Sequence, residues 1–199
     1  MVTKAELIDK YRYINVDLDD WHEYIIEGFI ERMSALGIPL DIEDILFSGF
    51  CCQGDGASFT CYIDGDDFDT FARIHDLYTD DPVIAAAYRA GCDPYIKVRR
   101  NGHHYCHENT VSAEFGVEYE FCNLAAYEGN DFMEVIAEQM DTKLYHLDID
   151  GHITEILRGY MRELHSELWE AYDADTSDEA VWEAIQNNNL DEELEDEAA

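Results

Sequence analysis

The chain has 199 residues, with 46 Asp+Glu against 12 Lys+Arg and a formal net charge of -34. Binding a phosphate backbone needs clustered Lys and Arg, so this balance excludes direct nucleic-acid binding as the main activity and argues against an anionic membrane surface as partner. It does not indicate disorder, because 47% hydrophobic and 13% aromatic residues are enough to build a core.

A short helix is expected around Lys4 to Tyr11, and a longer one from about Leu18 to Leu36. Asp17 or Asp19 can cap the second helix. Trp21, Ile25, Phe29, Met33 and Leu36 recur at helical spacing and predict its buried stripe, and Gly37 then Pro39 stop it. Two strands follow, Ile45 to Phe50 and Ser58 to Ile63, joined by a loop, 51–57, with two glycines. Helices are expected over Phe68 to Tyr78 and Pro82 to Ala90.

Asn101-Gly102 is the preferred two-residue type I′ turn and predicts a hairpin over Tyr95 to Thr110, with Arg100 facing His103 and Val98 facing Tyr105. Val111 to Phe121 alternates as a third strand, with Glu114, Glu118 and Glu120 on its wet face. Helices return at Asp131 to Met140 and Ile153 to Tyr172. Thr176-Ser177-Asp178-Glu179 reads as a capping box opening a last helix through Ile185, ended by Asn187-Asn188-Asn189. The pattern is α+β: an antiparallel β-sheet, with hairpins about 45–63 and 95–121, packed against several α-helices. Residues 1–186 are expected to form a single domain and 187–199 an acidic disordered tail.

No run approaches the ~18 apolar residues that a membrane helix needs. The first ten residues have no apolar core and carry Glu6 and Asp9, so no signal or transit peptide is expected. A cytoplasmic protein with reduced thiols at Cys51, Cys52, Cys61, Cys92, Cys106 and Cys122 is the matching expectation.

Four constellations bear on chemistry. His146 to Ile153 echoes a calcium loop through Asp148, Asp150 and Gly151, but His146 and Leu157 stand where the ion needs acids. Asp64-Gly65-Asp66-Asp67-Phe68-Asp69 fits a solvated turn and helix cap better than a cation site. His103-His104-Tyr105-Cys106-His107 could supply two zinc ligands, whereas a tetrahedral site needs two more. Cys51 or Cys52 could pair with one of those histidines as a nucleophile, but nothing lowers the thiol pKa. No catalytic residue, metal or cofactor is therefore expected. Lys97, Arg99 and Arg100 form the one basic run and are expected to be neutralised by Glu114, Glu118 or Glu120.

The acids themselves are unevenly placed. Net charge is -10 over residues 41–82 and -11 over 173–199, but only -2 over 83–130. Glu23, Glu27 and Glu31 stand at i, i+4, i+8 on the long helix, with Asp19 and Asp20 just before them. Each step is about 6 Å along the axis, near the spacing of successive phosphates on one strand. Like charges so placed destabilise a helix, so a compensating role is expected. A merely solvated surface is one alternative. Salt adaptation is a poor one, given 17 Ile against 8 Val and six Cys.

Two stretches carry a resemblance: Phe47-Ser48-Gly49-Phe50-Cys51-Cys52-Gln53-Gly54-Asp55-Gly56-Ala57-Ser58-Phe59, and Leu164 to Tyr172 followed by Ser177 to Val181. They resemble a group of uncharacterised phage- and prophage-encoded acidic proteins. In that group an aromatic and a Ser usually stand at Cys51 and Cys52, which argues against a thiol nucleophile. The resemblance implies a viral or mobile-element origin and action in the host cytoplasm. Small acidic phage proteins as a class include DNA mimics that inhibit host defence, an analogy of class only.

The expected function is thus non-enzymatic: inhibition of a host nucleic-acid-handling (defence) protein by DNA or RNA mimicry, the partner being a basic protein that normally binds nucleic acid. Its partner-binding residues would be Asp19, Asp20, Glu23, Glu27, Glu31, Asp64, Asp66, Asp67 and Asp69. The loop Ser48, Gly49, Gln53, Gly54, Asp55 and Gly56 supports an alternative, a small enzyme or ligand-binding domain. An antitoxin-like neutraliser of a basic toxin is a third reading. The sequence leaves homodimerisation open.

Overall fold

The computed structural model describes residues 2–17, 21–50, 54–77, 93–102, 105–118 and 149–191. The expected helices 82–90 and 131–140 lie outside them. The fold is α+β. Among the described residues it has α1 (Lys4–Lys10), α2 (Glu23–Ala35), β1 (Ile45–Ser48), β2 (Gly56–Phe59), β3 (Cys61–Ile63), α3 (Gly65–Ile74), β4 (Asp93–Arg100), β5 (Val111–Glu118), α4 (Ile149–Asp175) and α5 (Asp178–Asn187). The chain divides into two compact units: Met1–Glu27 with His165–Ala199, and Gly28–Leu164.

In the first unit, α1 opens on a reciprocal cap. Glu6 N–H donates to the Thr3 hydroxyl, and Thr3 N–H donates to the Glu6 carboxylate at 2.8 Å. The Thr3 N–H, and the Thr3 hydroxyl donating to the same carboxylate at 2.9 Å, hold the Glu6 carboxyl below its ordinary pKa. Leu7 and Ile8 join Val181 and Ile185 of α5 in a buried cluster, with Leu190 partly buried against it. The chain is described to Asp191, and the rest of the expected tail lies beyond.

Residues 11–17 form turns. Arg12 donates to the Thr176 carbonyl at 3.1 Å and pairs with Asp178, while Asn15 donates to the Asp175 carbonyl at 2.9 Å. Asp17 N–H bonds to the Tyr13 carbonyl within this turn, and α2 begins only after His22, so Asp17 does not cap it. Asp19 lies outside the described residues. The last helix likewise starts one residue later than expected. Ser177, not Thr176, caps α5, its hydroxyl accepting from Ala180 N–H, so the expected box with Glu179 does not form.

The second unit holds both sheets. β1 and β2 pair antiparallel, Ile45 with Phe59 through Ser48 with Gly56. The expected strand Ser58 to Ile63 divides at Thr60, whose N–H bonds back to the Asp44 carbonyl, and β3 joins a second sheet of order β3-β4-β5.

The Asn101-Gly102 hairpin does not form. Arg100 pairs with Val111 rather than His103, and β4 runs antiparallel to β5, with Ile96 opposite Phe115 and Val98 opposite Ala113. A type I′ turn needs positive φ at both central residues; Gly102 has it (+70°) and Asn101 does not. The reason is packing. The inward row Pro94, Ile96 and Val98 needs an apolar partner row, which Val111, Ala113, Phe115 and Val117 supply and the polar run 103–107 would not. The core of this unit is the fully buried set Phe29, Met33, Ile38, Phe59, Ile63, Phe68, Phe71, Ile96, Ile153, Leu157 and Met161.

Among the described strands β5 is the outer one of its sheet, and an open edge would leave backbone groups unpaired. One row of α4 closes it. Phe115 N–H donates to the Asp150 carboxylate at 2.8 Å, Ala113 N–H to the Thr154 hydroxyl at 2.9 Å, and Arg158 donates to the Val111 carbonyl at 2.8 Å. Residues 150, 154 and 158 share a helix face at i, i+4, i+8. The expected calcium-loop acid Asp150 is therefore a backbone acceptor on a helix. Thr154→Val keeps the shape and orphans a buried N–H, so it should cost about 1–3 kcal/mol. Thr154→Ser should recover most of that loss, both read by urea denaturation.

Candidate functional site

The expected acidic surface is ordered in part. Glu23, Glu27 and Glu31 are exposed along α2, and none pairs with a described cation. Asp19 and Asp20 lie outside the described residues. Asp64 stands at the N-cap of α3 with Asp66 and Asp67 in the first turn, where carboxylates favour the helix dipole. All three are exposed, and Asp69 is half-buried.

The glycine-rich loop packs against its own chain. Gly49 has φ +39°, and a Cβ there would lie 2.5 Å from the Asp55 carboxylate. A side chain on Gly54 would meet the Tyr105 ring, 2.5 Å from Cε1, and one on Gly56 would meet His107 Cα and Cβ at 2.5 Å. Gly54 and Gly56 are thus explained by close approach to residues 105–107, and Gly49 by its positive φ beside Asp55. Gln53, Cys51 and Cys52 lie outside the described residues. Ser48 is half-buried, and Ser58, at the end of the motif, is fully buried, its hydroxyl 3.1 Å from the Arg100 guanidinium.

Burial on alternating sides splits the basic run. Lys97 and Arg99 face outward and Arg99 reaches Glu114 at 3.7 Å, as expected for local neutralisation. Arg100 continues the inward row instead, with its Nε buried and without a hydrogen bond.

The metal and thiol readings gain nothing. Among the described residues no group of three or more His, Cys, Asp and Glu could hold a metal ion. His103 and His104 lie outside them, and the His107 ring accepts from Asn109 N–H at 3.2 Å. Burial, with the Asp44 charge adding to it, pushes the Cys61 thiol up to about 12, so it stays protonated at neutral pH. Cys61 lines a cleft of about 570 Å³ with Asp41, Asp44 and Lys97, where the two sheets part.

His75, at the end of α3, lies 3.3 Å from the Tyr160 hydroxyl and 4.5 Å from the Phe71 ring. Burial, then the nearby His152 charge, lowers its pKa against the opposing pull of Asp76. Its folded pKa lies below its unfolded one, so its contribution is complete above the unfolded value of about 6.5 and is lost as pH falls through the lowered folded value. Thermal denaturation should show wild type losing more stability than His75→Phe between about pH 7.5 and 5.

One juxtaposition was not legible in the sequence. Tyr62 and Tyr95 stack with ring centroids 5.3 Å apart. Together with Asp64 and Asp93 they line a pocket of about 240 Å³. No local pattern links these positions; only the β3–β4 register, with Tyr62 opposite Lys97, brings them together.

The family model described as Domain of unknown function (DUF8835) matches residues 21–178, and the chain belongs to that family. No curated protein and no solved structure matches it. The Leu7, Ile8, Val181 and Ile185 cluster falls wholly outside the matched span. No helix among the described residues is long and apolar enough to cross a membrane.

Proposed function

We propose that this is a phage-encoded, non-enzymatic protein that binds a basic host protein of nucleic-acid metabolism or defence and occupies its phosphate-binding surface. The observation that carries the reading is α2. Glu23, Glu27 and Glu31 are exposed on successive turns and unneutralised by any described cation. A row of carboxylates held on a helix presents charge at fixed intervals, which a disordered acidic tail cannot do. The net charge of -34 would steer association with a basic partner at a rate that falls with salt.

Affinity capture from host lysate identifies the partner. The triple variant Glu23→Lys, Glu27→Lys, Glu31→Lys should then bind it at least about tenfold more weakly, because like-charge juxtaposition at an interface costs several kcal/mol. Unchanged affinity in that variant, or wild-type affinity indifferent to salt between about 50 and 300 mM, would refute the reading.

A further inference from the structure

We propose that the pocket formed by Tyr62, Tyr95, Asp64 and Asp93 receives an arginine side chain of the partner. The inference rests on the proposed function for the existence of a basic partner and adds the point at which the partner is gripped.

The sheet places these four residues on one face. Tyr62 and Asp64 are two apart at the end of β3, and Asp93 and Tyr95 are two apart at the start of β4, so each pair projects to the same side. That side is the wet one, since the alternate residues Ile63, Pro94 and Ile96 are buried. Tyr62 is 41% exposed. Tyr95 lies across Gly116, its register partner on β5, where an added Cβ would collide with the ring. The glycine gives the ring its seat and fixes one wall of the pocket.

The chemistry of the lining selects a cation. Two tyrosine rings offer negative π faces, and two carboxylates stand beside them. Asp64 holds the N-cap position of α3 yet makes no side-chain cap bond, and neither Asp64 nor Asp93 has an ion pair among the described residues. Lys97, beside Tyr62 in the register, lies outside the pocket lining and opposite Glu114. At about 240 Å³ the space is below the ~300–1,000 Å³ typical of small-molecule sites, so it suits one side chain rather than a cofactor. Arginine fits better than lysine because its planar guanidinium stacks on rings and forks onto carboxylates.

The test uses the full chain, labelled for amide NMR, and ethylguanidinium as probe. Saturable shifts confined to Tyr62, Asp64, Gly65, Tyr95 and Gly116 are expected, stronger than with ethylammonium. They should vanish in Gly116→Ala, which removes the seat of Tyr95 without changing charge, and in the double variant Asp64→Asn, Asp93→Asn, which leaves the rings in place. An arginine-containing peptide should bind Tyr62→Leu about two- to fivefold more weakly than wild type. Non-saturating shifts scattered over the acidic surface, equal shifts with calcium ion, or shifts that survive both variants would overturn the proposal. The two readings fail separately. Salt-sensitive partner binding with no pocket shifts overturns the pocket and leaves mimicry standing, whereas pocket shifts without any basic partner overturn mimicry and the partner's role and leave only a guanidinium-binding pocket.

Discussion

Gly37→Ala should destabilise the protein by about 2–5 kcal/mol. Gly37 follows α2 with φ +76°. Its N–H bonds to the Ser34 carbonyl at 3.1 Å, and Ile38 N–H bonds to the Met33 carbonyl at 2.9 Å. This is the Schellman pattern, in which a left-handed residue closes the helix and a hydrophobic pair locks it. Met33 and Ile38 are that pair, both fully buried. An alanine would incur the left-handed penalty of about 1–2 kcal/mol. Its methyl would also collide with the Asp67 carbonyl and lie 2.8 Å from Phe71 N, both backbone atoms of α3 that cannot rotate aside. Thermal unfolding should fall by roughly 5–15 °C. A midpoint within about 2 °C of wild type would show that α2 and α3 do not pack as described.

Gly56→Ala is expected to cost about 2–3 kcal/mol, at the upper end for overpacking, because the new methyl meets His107 Cα and Cβ at 2.5 Å. The variant also separates two accounts of the glycine-rich motif. If Gly54 and Gly56 are small so that residues 105–107 can lie against β2, stability falls while partner affinity per folded molecule is kept. Lost affinity at full stability would instead place the motif in the binding surface. Denaturation and titration of the same preparation distinguish the two.

The fold was legible where the signal was local. The apolar row from Ile153 to Leu168 announced α4, and Gly37 with Pro39 announced the end of α2. The reciprocal cap at Thr3 and Glu6 has an equally local mark, Thr-x-x-Glu. What failed was long-range. Asn101-Gly102 is a strong turn signal in isolation, yet the apolar row of β4 found its match eight residues further on, and pairing outweighed the turn. The division at Thr60 has no local mark either, because Ser58 to Ile63 reads as one alternating strand on either side of it. Of the acidic residues, spacing on α2 gave the row Glu23, Glu27 and Glu31. The grouping of Asp64 with Tyr62, Tyr95 and Asp93 depends on strand register, which one sequence does not specify.

The stitching of β5 by Asp150, Thr154 and Arg158 sets a rule for how this chain can change. A helix turns by about 100° per residue, so one residue inserted or deleted between 150 and 158 would swing part of the row off the strand. The edge would then present unpaired N–H and C=O groups to the next molecule, a template for strand-to-strand association. Length variants of this protein should therefore tolerate altered loops while keeping residues 150–158 of constant length. A tagged insertion library scored for soluble yield would show a gap at that stretch.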